Sequence, residues 1–324
     1  MSARIVITGG SGFIGTNTVQ FYIDKGIELI NLDIAEPKNK EHSKYWRKVD
    51  ILDLVRLKES IRDFLPTHVI HLAARADLNE RKDIRGYTVN TKGVENIIEA
   101  INDYGNMKRS LFASSMLVCK RAYTPKNSQD YLPSTLYGES KVLGEKIVRE
   151  SKKILSEWII VRPTSIWGPW FSKPYYNFFN LLIKGKFFNI KEGSSTKTFG
   201  YIKNTVYQMD KLLFLENPDI NQKTFYLGDY TPLNISQWAK QITAILGKNP
   251  PLELPLKLFK IAAFIGDISK KIGIEKFPMS SFRLNNMTED NIIDLSDIRK
   301  IIPSLPYSVE DGTKETLEWM KYKQ

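Results

Sequence analysis

The chain is expected to fold as an α/β protein, a doubly wound parallel sheet followed by a smaller, mostly helical C-terminal lobe. Three observations predict this. Short β-branched runs alternate with helix-length segments from residue 4 onward. A glycine-rich run, Thr8-Gly9-Gly10-Ser11-Gly12-Phe13-Ile14-Gly15, joins the first of those runs to the first helical segment. After about residue 170 the alternation is lost and aromatics crowd into Trp170-Phe171 and Tyr175-Tyr176-Asn177-Phe178-Phe179.

Taken in order, Arg4-Ile5-Val6-Ile7 opens the sheet, apolar on both sides as a strand covered on two faces requires. Glu28-Leu29-Ile30-Asn31-Leu32-Asp33 is the second strand, and Asp50-Ile51 follows the third. His68-Val69-Ile70-His71-Leu72, Leu111-Phe112-Ala113-Ser114 and Trp158-Ile159-Ile160-Val161 continue the series. Between them Val94, Ile97, Ile98 and Ile101 recur at i, i+3, i+4 and i+7, the apolar stripe of an amphipathic helix. Residues 1–170 are therefore expected to form the dinucleotide-binding domain and 171–324 the substrate lobe. Thr224-Phe225-Tyr226-Leu227-Gly228-Asp229 reads as one more strand, returning to the main sheet near 223–229.

The glycine loop has the strand before it and helix after it that a dinucleotide site needs. Glycines there allow the tight turn and let backbone approach a pyrophosphate, which rests on the amides of the helix N-terminus. Asp33 stands eighteen residues beyond Gly15, at the end of the second strand. A carboxylate in that place accepts hydrogen bonds from the adenosine ribose and repels a 2′-phosphate, so NAD is expected in preference to NADP. A turn-capping role is the plainer reading of Asp33. Downstream, Tyr137 and Lys141 share a helix face four residues apart. A phenol titrates near ~10 and needs a neighbouring positive charge to act as a base close to neutrality, which Lys141 is expected to supply.

The formal net charge is +11, from 47 basic and 36 acidic residues, but the basic residues are scattered and no nucleic-acid motif accompanies them. Nucleic acid is therefore not an expected partner. An electropositive cleft for a pyrophosphate is a better use of the excess. One cysteine, Cys119, excludes an internal disulfide, and the three histidines lack metal-site spacing, so no metal is expected. With no leader-like opening and no apolar run of spanning length, a cytoplasmic location is expected. The stretch from Leu254 to Ile274 mixes Phe259, Ala262, Ala263, Phe264 and Ile265 with Lys257, Lys260, Lys270 and Lys271. It is read as a helix packed on its own domain, with contact to an anionic membrane surface as the alternative.

With these features in place, the chain resembles the extended short-chain dehydrogenase/reductases, and within them the NAD-dependent epimerase/dehydratase family that acts on nucleotide sugars. The resemblance implies a Rossmann fold with NAD held by Gly9, Gly12, Phe13, Ile14, Gly15 and Asp33. It adds Asp50 and Ile51 beside the adenine, Leu72, Ala73 and Ala74 at the next strand end, Asn90 near the active site, and Pro163 in Arg162-Pro163-Thr164-Ser165 beside the nicotinamide. It makes Ser115, Tyr137 and Lys141 the catalytic set: Tyr137 moves a hydroxyl proton, Lys141 lowers its pKa and holds the nicotinamide ribose, and Ser115 bonds the reacting oxygen. Arg75, Ser165, Asn177 and Lys197 are the substrate candidates, and a homodimer is implied. His68, His71 and Cys119 are read as structural.

Departures from the family pattern narrow the chemistry. The resembling 4,6-dehydratases carry an Asp-Glu pair after the catalytic Ser/Thr, where this chain has Met116-Leu117. Ser165 replaces a common asparagine, and Lys197 replaces an arginine that grips the diphosphate, keeping the charge but losing the bidentate fork. The expected activity is that of a nucleotide-sugar epimerase or 4-keto-sugar reductase in polysaccharide biosynthesis. The alternatives are a membrane-associated hydroxysteroid- or sterol-type dehydrogenase and a non-catalytic cofactor-binding protein. The aromatics from Trp167 to Phe179 either stack a sugar or base or form the core of the small lobe.

Overall fold

The computed structural model describes residues 2–321 except 152, 153, 155, 173 and 272–278. Strands β1 (Arg4–Thr8), β2 (Glu28–Asp33), β3 (Trp46–Lys48), β4 (His68–His71), β5 (Arg109–Ala113) and β6 (Glu157–Pro163) alternate with helices α1 (Phe13–Asp24), α2 (Leu54–Phe64), α3 (Lys92–Tyr104) and α4 (Leu136–Glu150). After β7 (Ser165–Trp167), α5 (Tyr175–Ile183), β8 (Asn189–Ile190), β9 (Thr196–Lys197) and β10 (Phe199–Tyr201), the chain forms α6 (Ile202–Phe214) and β11 (Thr224–Leu227). It ends with β12 (Leu233–Asn234), α7 (Ile235–Ile245), β13 (Glu253–Leu254), α8 (Leu256–Lys271), α9 (Ser281–Thr288), α10 (Ser296–Ile301) and α11 (Val309–Lys321).

Seven strands form one sheet in the order β11-β6-β5-β4-β1-β2-β3. Every adjacent pair is parallel. The order reverses at β1, so the ends of β1 and β4 open a crevice at the carboxyl edge where ligands bind in such sheets. Val6, Leu32, Val69 and Ile160 of the sheet pack against Leu57, Ile61 and Phe64 of α2 and the Val94, Ile97, Ile98 and Ile101 stripe of α3. Each such side chain gains roughly 1.5–3 kcal/mol from leaving water, which holds the helices on the sheet. Local signals set the helix ends: Asp53 accepts the Arg56 amide to start α2, and Gly105, at φ 78°, stops α3.

The chain divides into two compact units, the first of residues 1–166, 200–228 and 294–306, the second of 167–199, 229–293 and 307–324. Aromatics make the core of the second. Trp167, Phe179 and Trp238 are buried, with ring centroids 4.8 Å apart for Trp167 and Trp238 and 5.9 Å for Trp167 and Phe179. Of the two readings of the Trp167 to Phe179 run, the structure gives the core to Trp167, Phe171 and Phe179. In the same unit α8 packs Phe259 and Ala263 against Leu284 of α9 and Ile190 of β8.

Candidate active site

Backbone contact builds the glycine loop. Gly9 has φ +74°, and a Cβ there would lie 2.5 Å from the Ala73 nitrogen, so only glycine lets β1 and the end of β4 run this close. At Gly15 a Cβ would meet the Gly9 carbonyl oxygen at 2.1 Å, which packs α1 tightly under the turn. No side chain caps α1 and no acid stands in its first turn, leaving its amide end suited to an anion. Asp33 fixes the loop from the side: one carboxylate oxygen accepts the Ser11 amide at 3.0 Å and the other the Ala35 amide at 2.9 Å. A carboxylate has lone pairs beyond these two, so the turn-capping reading and the ribose reading are compatible.

Nearby, Asp50 is exposed and accepts the Leu52 amide. Ile51 is buried against Gly93 at the start of α3, and its carbonyl takes a hydrogen bond from Asn96. Leu72, Ala73 and Ala74 follow β4, with the Leu72 amide bonded to the Thr8 carbonyl at 3.0 Å.

Ser115 caps the short turn Met116–Val118, accepting the Leu117 amide at 3.2 Å. Helix α4 starts on Thr135, whose hydroxyl accepts the Gly138 amide at 3.0 Å. A Cβ at Gly138 would stand 2.2 Å from the Leu117 carbonyl oxygen, so this glycine lets α4 press onto the Ser115 turn. This places the Tyr137 phenol under the influence of Ser115. Burial pushes the phenol above its ordinary value, Ser115 opposes this, and the Tyr87 phenol adds to it. The expected lowering by Lys141 is not among these influences. Burial instead lowers Lys141 itself to about 8, against the pull of Glu145, and its charge helps depress His71 to about 3. A buried lysine near 8 responds readily to an anionic or hydroxyl-rich ligand at its ammonium.

Around this pair lie Asn90, expected near the active site, and Tyr87, Ser140 and Glu145, which no motif announces. Asn90 is buried; its side-chain oxygen accepts the Arg75 amide at 2.8 Å, and its amide group donates to the Arg75 carbonyl at 3.0 Å and to Ser140 Oγ at 2.9 Å. Ser140 Oγ in turn donates to the Tyr137 carbonyl at 2.7 Å. The Tyr87 ring lies 6.0 Å from that of Tyr137. One turn beyond Lys141, Glu145 receives both Nε and Nη2 of Arg162 at 2.8 Å, with both side chains essentially out of solvent. Tyr131 and Tyr226 complete this network at 2.9 Å from Glu145 and 3.0 Å from Arg162. The only sequence signal for it is a charge at a strand position that should be apolar.

Pro163 ends β6, and Ser165 begins β7 and is buried. The Arg75 guanidinium is committed to its own loop, bonding Asp77 at 2.8 Å and the Gly86 carbonyl at 2.8 Å. Asn177 and Lys197 lie in the second unit. Asn177 is half-buried on α5, and the Lys197 ammonium donates to the Asn286 carbonyl.

At the carboxyl edge of the sheet three buried polar atoms have no hydrogen-bond partner among the described residues: His71 Nε2, Ser114 Oγ and Thr164 Oγ1. They stand at the ends of β4, β5 and β6. An unsatisfied buried group costs about 1–3 kcal/mol, so a polar ligand laid across these ends relieves a real penalty. With the glycine cradle and Asp33, the residues present fit a dinucleotide.

The model of the NAD dependent epimerase/dehydratase family matches residues 5–227. The chain is 26% identical to N-acetyl-alpha-D-glucosaminyl-diphospho-ditrans,octacis-undecaprenol 4-epimerase of Escherichia coli O157:H7, over 98% of this chain and 96% of that one. It is 25% identical to UDP-glucose 4-epimerase of Vibrio cholerae, over 98% and 95% of the two chains. The structure of Thermus thermophilus UDP-glucose 4-epimerase in complex with NAD shares the fold, with a TM-score of 0.72 at 19% identity over 98% of this chain and 99% of that chain.

Proposed function

The chain belongs to the NAD-dependent epimerase/dehydratase family, and on that premise we propose that it is an NAD-dependent epimerase of a diphosphate-linked sugar, working at the ring carbon whose hydroxyl reaches Tyr137. The observation that carries this reading is the Tyr137 phenol, acted on by Ser115 and standing one helical turn before the buried Lys141, with the glycine cradle on the same sheet edge. NAD, held by the glycine loop and Asp33, would supply a reversible hydride acceptor for the sugar. Tyr137 removes the hydroxyl proton as the carbonyl forms and gives it back in the reverse step, and Ser115 hydrogen-bonds the reacting oxygen. Lys141, one helical turn from Tyr137 and lowered to about 8 by burial, holds a ribose hydroxyl. Asn90 and Ser140 hold the first turn of α4, and so the phenol, in place. Uptake of a 4-keto sugar and release of the hydroxy sugar, at the expense of one NADH or NADPH per turnover, would instead make the enzyme a 4-keto-sugar reductase. Met116-Leu117 after Ser115 supplies no acid or base, which argues against dehydration.

The sugar carrier has two readings. A nucleoside diphosphate is the first, with Asn177 and Lys197 as candidate contacts. A polyprenyl diphosphate is the second, favoured by the outward apolar face of α8.

Mass spectrometry of the nucleotide that co-purifies, followed by turnover assays on UDP-, GDP-, CDP- and dTDP-sugars and on a polyprenyl-diphosphate sugar, tests the proposal. Bound NAD and interconversion of two epimers without added reductant are expected. Stoichiometric consumption of NADH or NADPH would replace the epimerase with a reductase. No bound dinucleotide and no turnover on either carrier would sink the reading.

A further inference from the structure

Helix α8 is apolar on two opposite sides. Its inner side carries Phe259 and Ala263, which pack on α9 and β8. On its outer side Leu258, Ile261, Phe264, Ile265 and Ile268 remain 43–67% exposed. At 100° per residue these five fall within an arc of about 120°, along a helix about 24 Å long. A helix on the surface of a water-soluble protein turns polar residues outward, and an apolar outer stripe marks a contact surface.

The charges around the stripe select its occupant. Lys257 lies within the arc and Lys260 beside it, both exposed. Its one acid, Asp267, turns to α9, accepting the Ser281 amide at 3.2 Å. Among the described residues of α8 the outer face is therefore apolar, with Lys257 and Lys260 at it and no carboxylate turned into it. A second copy of this chain is a poor match, because a two-fold contact would bring the same lysines together in a protein of net charge +11. An acyl-chain boundary beneath anionic headgroups satisfies both features at once: the aliphatic side chains enter the interface and the ammonium groups stay at the phosphates. No helix of the described residues is long and apolar enough to cross a membrane, so the contact is one of lying on the surface.

We propose that α8 docks this protein on an anionic bilayer surface through Leu258, Ile261, Phe264, Ile265 and Ile268, with Lys257 and Lys260 on the headgroups. This goes beyond the proposed catalysis and does not depend on it, since vesicle binding is read without substrate. The full chain is floated with vesicles of phosphatidylglycerol and phosphatidylcholine and, separately, of phosphatidylcholine alone. Binding to the anionic vesicles that weakens with salt is expected, with a loss of about ten-fold or more in the double variant Ile261→Asp, Phe264→Asp. Absence of wild-type binding, or binding unchanged in the variant, would overturn the proposal. So would light scattering that shows the variant splitting a wild-type dimer that does not bind vesicles. As a check independent of that variant's folding, Ile268→Cys is labelled with an environment-sensitive dye, which is selective because Cys119 is buried. Emission should rise several-fold on adding anionic vesicles and stay flat for the same dye at Lys300→Cys; a flat response at residue 268 would also overturn the proposal.

Discussion

Helices α4 and α8 depart from the ordinary burial pattern in opposite directions. Helix α4 turns Ser140, Lys141 and Glu145 inward, where ionic and hydroxyl groups cost free energy unless each is matched. Helix α8 turns five large apolar side chains outward, where they gain nothing from water. In α4 Glu145 is matched by Arg162 and Tyr131 and Ser140 by Asn90 and the Tyr137 carbonyl, while Lys141 feels the charge of Glu145. In α8 the misplaced groups share a face and a rim of lysines. The difference teaches where to look for function: a costly inward polar group that has been given partners serves chemistry, and an outward apolar face serves contact.

The comparison can be broken, beginning with the largest expected effect. Glu145→Ala leaves the Arg162 guanidinium buried and uncompensated, which should cost about 3–5 kcal/mol in a denaturant titration. A loss under about 1 kcal/mol would mean that α4 does not depend on its buried pair. Next, Tyr137→Phe should leave dinucleotide binding intact and cut turnover by ~10²-fold or more, the usual scale for a lost acid/base group. Turnover within a few-fold of the parent would put the proton on another residue.

A smaller effect is expected from acid. His71 is held at about 3 by burial and by the Lys141 charge, against 6.5 when unfolded. The unfolded chain therefore takes up this proton first, so stability is full above about pH 6.5 and falls as pH drops toward 3. Between pH 7 and 5 His71→Gln should lose about 2 kcal/mol less than the parent. Equal losses would show that His71 is not the acid-sensitive group. Smallest of all, Ile261→Ser on the outer face of α8 should change stability by no more than about 0.5 kcal/mol. A melting temperature lowered by several degrees would show that the face is covered within the fold.

What could be read from the sequence was what is local. The stripe Val94, Ile97, Ile98 and Ile101 faces the core as its spacing requires, and the glycine loop sits between β1 and α1 because a tight turn next to another backbone admits little else. Tyr137, Lys141 and Ser115 could be picked out once the loop was in place. Glu145 and Arg162 could not, since neither a glutamate in a helix nor an arginine near a strand end announces its partner across the fold. Tyr87 was hidden for the same reason: its ring meets Tyr137 only after the turn Ile84–Asn90 folds back. The aromatic run from Trp167 stayed between two readings because Trp238, which completes its cluster, lies far along the chain. On α8 the composition was plain, but which side packs is decided by α9, and no local pattern reveals that. Lys141 was expected to act on Tyr137, whereas the charges it exchanges influence with here are those of Glu145 and His71.

Asn90 has a consequence for motion. Because one side chain holds both the amide and the carbonyl of Arg75 while donating to Ser140, the segment after β4 and the first turns of α4 cannot open separately without leaving a buried amide unsatisfied. Hydrogen exchange should therefore find the Arg75 amide and the amides around Tyr137 and Lys141 in one cooperative opening unit, so that breathing of the loop after β4 and displacement of Tyr137 are a single event.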